Sequence, residues 1–241
     1  MSLPHAYAAV IDFETTGLDT ENDQPLEFAA LVFDPIENLY IKTFEGFFTS
    51  GYGVVPKEKR AEIEKLTGIM PDFPVIFGDQ CDQFKSFVSH IGVTITHLIA
   101  HNAPFDRAFF DRECLRLCGK IPEVTWIDTT CDVEFRDGIQ SKSLKYLAAD
   151  HGILSYSAHR AFADCQTLFQ IVKQYDFQEI LAYAAVPTVE LIAAVSFHDK
   201  DKAKEKGFRW DDKRKVWFMK RKKTYTDVAE LGYDFPVKER G

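Results

Sequence analysis

Three stretches of this chain hold acids and a histidine at spacings that suit a single chemistry. The first is Tyr7–Leu18, Tyr-Ala-Ala-Val-Ile-Asp-Phe-Glu-Thr-Thr-Gly-Leu, an apolar run that ends in alternating carboxylates. In a strand, side chains two residues apart share a face, so Asp12 and Glu14 point the same way while Phe13 points into the core. Two carboxylates aimed at one point repel unless a cation lies between them. Hard divalent cations such as Mg²⁺ or Mn²⁺ take oxygen ligands of this kind together with phosphate oxygens. An isolated Asp-x-Glu is also common where a strand merely emerges into solvent. Thr15-Thr16-Gly17-Leu18 reads as a turn that brings backbone close to a ligand.

The second stretch, Leu98-Ile-Ala-His-Asn-Ala-Pro-Phe-Asp-Arg-Ala-Phe-Phe, reads as strand, turn, proline, then helix. It places Asp106 in the first helical turn, beside the positive end of the helix dipole, where a carboxylate either caps the helix or helps a cation and its water. Asn102 either meets a substrate backbone or caps the same helix. The third stretch is Ser157-Ala-His-Arg-Ala-Phe-Ala-Asp-Cys-Gln-Thr-Leu. Asp164 lies on a helix close to core positions, and an acid so placed is paired or coordinates a metal. His159 falls at or just before the helix start, as a surface or capping residue or, with Asp164 as a ligand, as a general base.

Alternating strands and helices position these residues. Pro25–Phe33 and Leu39–Phe48 read as strands joined by a short turn and therefore antiparallel neighbours. Glu27 is the one charge inside the first of them, set near the metal site or at a strand edge. Gly51-Tyr52-Gly53 marks a loop, Pro56–Leu66 a charged helix, and Phe77–Val93 an amphipathic helix. Then come a strand at Thr96–Ala100, a helix at Pro104–Leu117, a strand at Val124–Asp128, a helix at Ser141–Asp150 started by Ser141 or Ser143 and stopped at Gly152, and a helix at Arg160–Gln174. An antiparallel start followed by alternation describes an α/β domain with a mixed sheet.

Composition is that of an ordinary globular chain of 241 residues, 46% hydrophobic and 27% charged. No run is long enough to span a bilayer, and the N-terminus shows no basic region followed by an apolar one, so a cytoplasmic protein is expected. Five cysteines without a Cys-x-x-Cys pair indicate buried free thiols. The net charge of −8 hides an asymmetry. Between Phe197 and Lys223 there are 12 Lys or Arg against 5 Asp or Glu, an acidic body with a basic segment that suits a polyanion. Past Tyr175 the pattern loosens, and Pro187 is the expected boundary between a body over 1–186 and a small basic α/β module over 187–241. In that module Val189–Phe197 reads as a strand, Asp199–Lys206 as a helix and Val216–Met219 as a strand.

Together the motifs Asp12-x-Glu14, His101-Asn-Ala-Pro-Phe-Asp106 and His159-x-Ala-x-x-Asp164 resemble the three motifs of the DEDDh exonuclease superfamily, relatives of the proofreading subunit of bacterial replicative polymerase. Leu66-Thr-Gly-Ile69, Ile127-Asp-Thr129 and Ser143-Leu-Lys-Tyr-Leu-Ala are supporting matches, and the resemblance covers about Ala6–Tyr175. It implies an α/β, ribonuclease H-like fold, a mixed five-stranded sheet with its first three strands antiparallel, flanked by helices. It further implies two divalent ions, Mg²⁺ or Mn²⁺. Asp12, Glu14 and Asp164 would hold one, and Asp106 would support the other through water, with His159 as general base. By the same analogy Leu18 wedges against the terminal base, Thr15 and Thr16 meet the terminal nucleotide, Asn102 contacts the strand and Phe105 stacks; Leu18 and Phe105 equally suit a core. The implied activity is 3′→5′ hydrolysis of single-stranded or frayed DNA ends, releasing nucleoside monophosphates. The alternatives are an exoribonuclease of the same fold and a catalytically weak nucleic-acid-binding scaffold. Nucleic acid is the expected partner, DNA ahead of RNA, with no membrane, and with a homodimer or a polymerase or repair complex as possible assemblies. The tail, about Val195–Met219, resembles a small uncharacterised module found beside primase and nuclease domains. Its Lys and Arg residues interleave with Phe208, Trp210, Trp217 and Phe218, which suits either a single-strand groove or a little core under a solvated face.

Overall fold

The structure is a computed structural model that describes residues 6–48, 55, 57–69, 81–154, 159–223 and 232–240. The loop expected at Gly51–Gly53 and the first residues of the Phe77–Val93 helix lie outside the described residues. The chain forms two compact units, one of residues 1–130 and 135–179, the other of residues 131–134 and 180–241.

The first unit is built on a five-stranded sheet in the order β3-β2-β1-β4-β5, with β1 at Tyr7–Thr15, β2 at Pro25–Asp34, β3 at Leu39–Phe47, β4 at Ile95–Ala100 and β5 at Thr125–Asp128. Strands β1, β2 and β3 pair antiparallel, whereas β4 pairs parallel with β1 and β5 with β4. The mixed sheet expected from the sequence is therefore present. β1 and β2 lie at its centre and are apolar on both faces because helices cover both. On one face Ala9, Ile11 and Phe13 join a core with Phe28, Phe44, Phe48, Phe84, Phe87, Phe109 and Phe110, under α2 (Cys81–His90) and α3 (Ala103–Cys118). Phe13 stands 5.0 Å from Phe28 and 6.2 Å from Phe84, ring to ring. On the other face α5 (Ala161–Val172) packs on β1 and β2, where the buried Cys165 thiol donates to the Val10 and Ala29 carbonyls. Asp12 and Glu14 share that second face by the alternation of β1.

Helix α1 (Lys57–Thr67) buries Ile63 against Leu26, Val55 and Ile69. α4 runs Leu144–Asp150 with Ser143 as its N-cap residue, the later of the two expected starts, while the Ser141 hydroxyl accepts the Ser143 amide ahead of the helix. The reading missed α6 (Phe177–Ala185), which starts where the Asp176 carboxylate accepts the Gln178 and Glu179 amides.

The second unit contains an antiparallel sheet in the order β7-β8-β6-β9, with β6 at Thr188–Ala193, β7 at Arg209–Asp211, β8 at Val216–Lys222 and β9 at Val237–Arg240. The strand expected over 189–197 stops at Ala193. Beyond it Ser196 accepts the Asp199 amide and turns the chain into a 3₁₀ turn, Phe197–Asp199, and then α7, Lys200–Glu205. Val189, Leu191, Ala193, Ala203 and Phe208 form the core of this unit, with Trp217, Met219 and Val237 packed around it. Phe208 is thus a core ring, excluded from the surface role its neighbours in sequence suggested. Lys222 is buried and ion-paired with Asp132, and also donates to the Ala184 and Val186 carbonyls. No helix among the described residues is long and apolar enough to cross a membrane.

Candidate active site

The C-terminal end of β1 and the N-terminal ends of α3 and α5 supply the acids. Glu14, 9% exposed, and the half-buried Asp12 project from the α5 face of β1. Asp164, one turn into α5, completes a group of three whose carboxylate oxygens all lie within 4.8 Å of one another. Asp106, 2% exposed, approaches from α3, and one of its oxygens accepts the Phe13 amide at 3.1 Å. That amide needs an acceptor because β1 pairs with β4 only as far as Val10, after which β4 turns away. Asp106 therefore closes the sheet edge beside Asp12 and stands just outside the converging three.

Burial pushes the Asp12 carboxyl well above the usual range, and the charges of Asp106, Glu14, Asp164 and Glu27 push it further. Burial, with Asp164, Glu27 and Asp106, raises Glu14 to about 8, and Arg160 opposes the rise. Asp164 is raised by burial, while the His159 and Arg160 amides bonded to it act the other way. A concentration of carboxylates that the cations among the described residues leave unneutralised, offering oxygen donors only, fits a hard divalent cation.

Glu27 is the residue the sequence left between two readings. It is 3% exposed and sits in a central strand, directly opposite Glu14 across the β1–β2 pair. Its carboxylate takes a forked pair from Arg160, with Nη2 to Oε1 at 2.9 Å and Nε to Oε2 at 3.0 Å, and also accepts the Ala161 amide at 3.1 Å. Arg160, the N-cap residue of α5, makes no capping bond of its own. A strand side chain thus satisfies the first orphan amide of the helix and fixes where α5 begins. His159, next before Arg160, has a left-handed backbone (φ 64) and donates its amide to Asp164 Oδ2 at 2.9 Å. Its imidazole is exposed beside the acids. Glu27→Ala removes the carboxylate to which Arg160 and the Ala161 amide donate, and we expect a loss of about 2 kcal/mol in a urea titration, modest because Arg160 is partly solvated. The double variant Glu27→Ala/Arg160→Met should recover part of that loss; a double variant less stable than the single would show that the pair is not what holds α5.

The remaining predicted residues lie on the turn after β1 and at the start of α3. Thr15 donates its hydroxyl to the Gly17 carbonyl at 2.6 Å, and Thr16 donates to Asp23 at 2.9 Å while accepting the Gln24 amide. Both hydroxyl protons are engaged within the turn, which leaves backbone groups as the donors for anything bound there. A side chain at Gly17 would meet the Asp23 carboxylate at 2.4 Å, so the turn needs glycine. Leu18 stands at the tip, 87% exposed, and has no place in the core. Asn102 is left-handed (φ 73) and exposed, and its side chain makes no cap bond; its amide goes to Asp128 Oδ1 at 3.1 Å. Asp128 also accepts from Thr130 and so clamps this loop. Phe105 is half-buried, 5.1 Å from Phe109, and packs against the core as well as facing out. Arg160 and Asp128 were not singled out for these roles. The signal for the first was Glu27, since a buried charge in an apolar strand requires a counter-ion.

A mixed sheet of this order, with two acids at the end of β1 and two at the starts of helices, has the ribonuclease H-like fold and the oxygen donors of a metal-dependent nuclease. Residues 9–172 match the family described as Exonuclease (RNase_T), and the chain belongs to that family. It is 28% identical over 212 residues to the DNA polymerase III subunit epsilon of Treponema pallidum, covering 83% of this chain and 94% of that protein. It is 31% identical over 168 residues to the PolC-type DNA polymerase III of Staphylococcus haemolyticus, covering 68% of this chain but only 11% of that protein. Among solved structures it resembles E. coli Exonuclease I in complex with a dT13 oligonucleotide, with a TM-score of 0.59, 19% identity, 79% of this chain and 48% of that one. The nuclease domain of 3′hExo, a DEDDh family member bound to rAMP, gives a TM-score of 0.52 at 17% identity, with 70% of this chain and 91% of that one covered. These two likenesses establish the fold. Residues 191–230 match a domain of unknown function (DUF5710).

Proposed function

We propose that this chain is a divalent-metal-dependent exonuclease that removes nucleotides from the 3′ end of single-stranded or frayed DNA and releases nucleoside monophosphates. The convergence of Asp12, Glu14 and Asp164, with His159 five residues before the last, carries this reading. Asp12, Glu14 and Asp164 would hold one Mg²⁺ or Mn²⁺, and Asp12 with Asp106 would support a second. Bound ions of this kind acidify water and stabilise charge on the attacking and leaving oxygens. His159 takes the proton of the attacking water, a task for which its exposed imidazole is free to approach the scissile phosphate. The turn at Thr15–Leu18 and the Asn102 loop meet the terminal nucleotide, with Leu18 against the last base. DNA is placed ahead of RNA because the sequence relatives are DNA polymerase III proteins; the 3′hExo domain bound to rAMP keeps an RNA substrate as the second reading. The likeness to an epsilon subunit supports work inside a polymerase assembly.

Digestion of matched 5′-labelled single-stranded DNA and RNA with Mg²⁺ or Mn²⁺ tests this. A ladder shortening from the 3′ end, absent in Glu14→Ala, is the expected result, with DNA shortened faster. Binding of both polymers without cleavage under either metal would overturn the catalytic reading.

A further inference from the structure

The sheet of the second unit has two unlike faces. Val189, Leu191, Ala193, Trp217, Met219 and Val237 point to the side where Ala203 and Phe208 complete the core. The register puts the alternate residues on the other side, where two middle rows lie between the Asp211–Val216 pair and the Thr188–Lys222 pair, whose Lys222 is buried against Asp132. Arg209, Phe218, Ile192 and Lys238 are paired in one, and Lys220, Glu190 and Arg240 in the next. Arg209, Lys220, Lys238 and Arg240 are exposed, and Phe218 and Ile192 are half-exposed between them. Among the described residues none of these four cations makes a side-chain ion pair. Glu190, the acid of the second row, is already neutralised by a forked pair from Arg214, 2.8 Å to each oxygen. The same guanidinium lies over the Phe218 ring, 5.1 Å from its centre.

We infer that this open face, centred on Phe218 and rimmed by Arg209, Lys220, Lys238 and Arg240, binds single-stranded nucleic acid. The cations match phosphates, and the ring and the guanidinium over it offer planes on which bases stack. A duplex hides its base faces and could use only the rim. On the opposite side, among the described residues, Trp217 packs against the core, and Trp210, 45% exposed, leans on Trp217 at 5.5 Å. The site is built from residues of the second unit alone, and the choice of strand rests on the exonuclease reading.

The test is fluorescence anisotropy on the full chain carrying Glu14→Ala, titrated into a labelled oligothymidylate without divalent metal. In that background Phe218→Leu keeps the apolar packing and should weaken binding about tenfold. The triple variant Lys220→Gln/Lys238→Gln/Arg240→Gln should lower the slope of log affinity against log salt by about 2. Trp210→Leu should bind as its parent does. Because the triple variant changes exposed side chains only, it holds even if Phe218→Leu unfolds, which a thermal melt reports. Unchanged affinity and slope in both variants, an equal loss in Trp210→Leu, or displacement of the strand by polyglutamate of equal length would each overturn the inference. If wild-type protein shortens the strand while these variants bind normally, the open face is not the site and the exonuclease reading stands. Failure of the parent to bind, with no digestion by the wild type, would remove both.

Discussion

Asp12→Asn is expected to lower the nuclease rate by roughly a thousandfold or more while making the metal-free protein more stable. The two effects share a cause. Asp12, Glu14 and Asp164 converge; burial raises all three carboxyls, and the neighbouring acids raise Asp12 and Glu14 further, Glu14 to about 8. A carboxyl raised by folding leaves the folded state holding more protons than the unfolded one between its ordinary range and its raised value. Stability therefore falls as pH rises through that window, and the penalty is complete above it. Melting in EDTA should accordingly show a midpoint that drops from about pH 5 to pH 8, less steeply in Asp12→Asn. Mn²⁺ should raise the wild-type midpoint and flatten its pH dependence, by binding only the folded state, and should do neither for the variant. A metal-free midpoint that climbs over this range, or an Asp12→Asn protein less stable than wild type, would refute the account.

His159→Asn should cost about 10²–10⁴ in kcat while leaving the Mn²⁺-dependent gain in melting temperature intact. Asparagine suits the left-handed backbone at this position and keeps the amide that Asp164 accepts, so the substitution removes the base and little else. Matching rates for the two proteins, at equal metal binding, would take His159 out of the chemistry.

The period of β1 made the placement of Asp12 and Glu14 legible, because a two-residue alternation in an apolar strand admits one arrangement. The helix start after Pro104 likewise located Asp106. Glu27 was visible as an anomaly, but its partner lies 133 residues away, a distance no local pattern spans. Asp128 appeared as a match to a family pattern, and its work of holding the Asn102 amide needs the β4–β5 pairing to be known. In the second unit, strands of three and four residues carry too few positions to show a period, so β7 and β9 went unread. For the same reason Phe208 and Phe218 looked alike. Burial separates the two rings: Phe208, just before β7, is buried in the core, whereas Phe218, paired with Arg209, is half-exposed.

The second unit takes four of its residues, 131–134, from a part of the sequence flanked on both sides by the first, so the chain passes between the units three times. Cleaving once near Glu179 would not release two whole pieces. The C-terminal fragment would carry Lys222, buried, without the Asp132 carboxylate that neutralises it. Limited proteolysis at that point should thus yield an unstable tail, and a gene fragment starting there should express poorly. The two units are in this sense woven into one covalent design, and the basic sheet is better dissected by point substitution than by amputation.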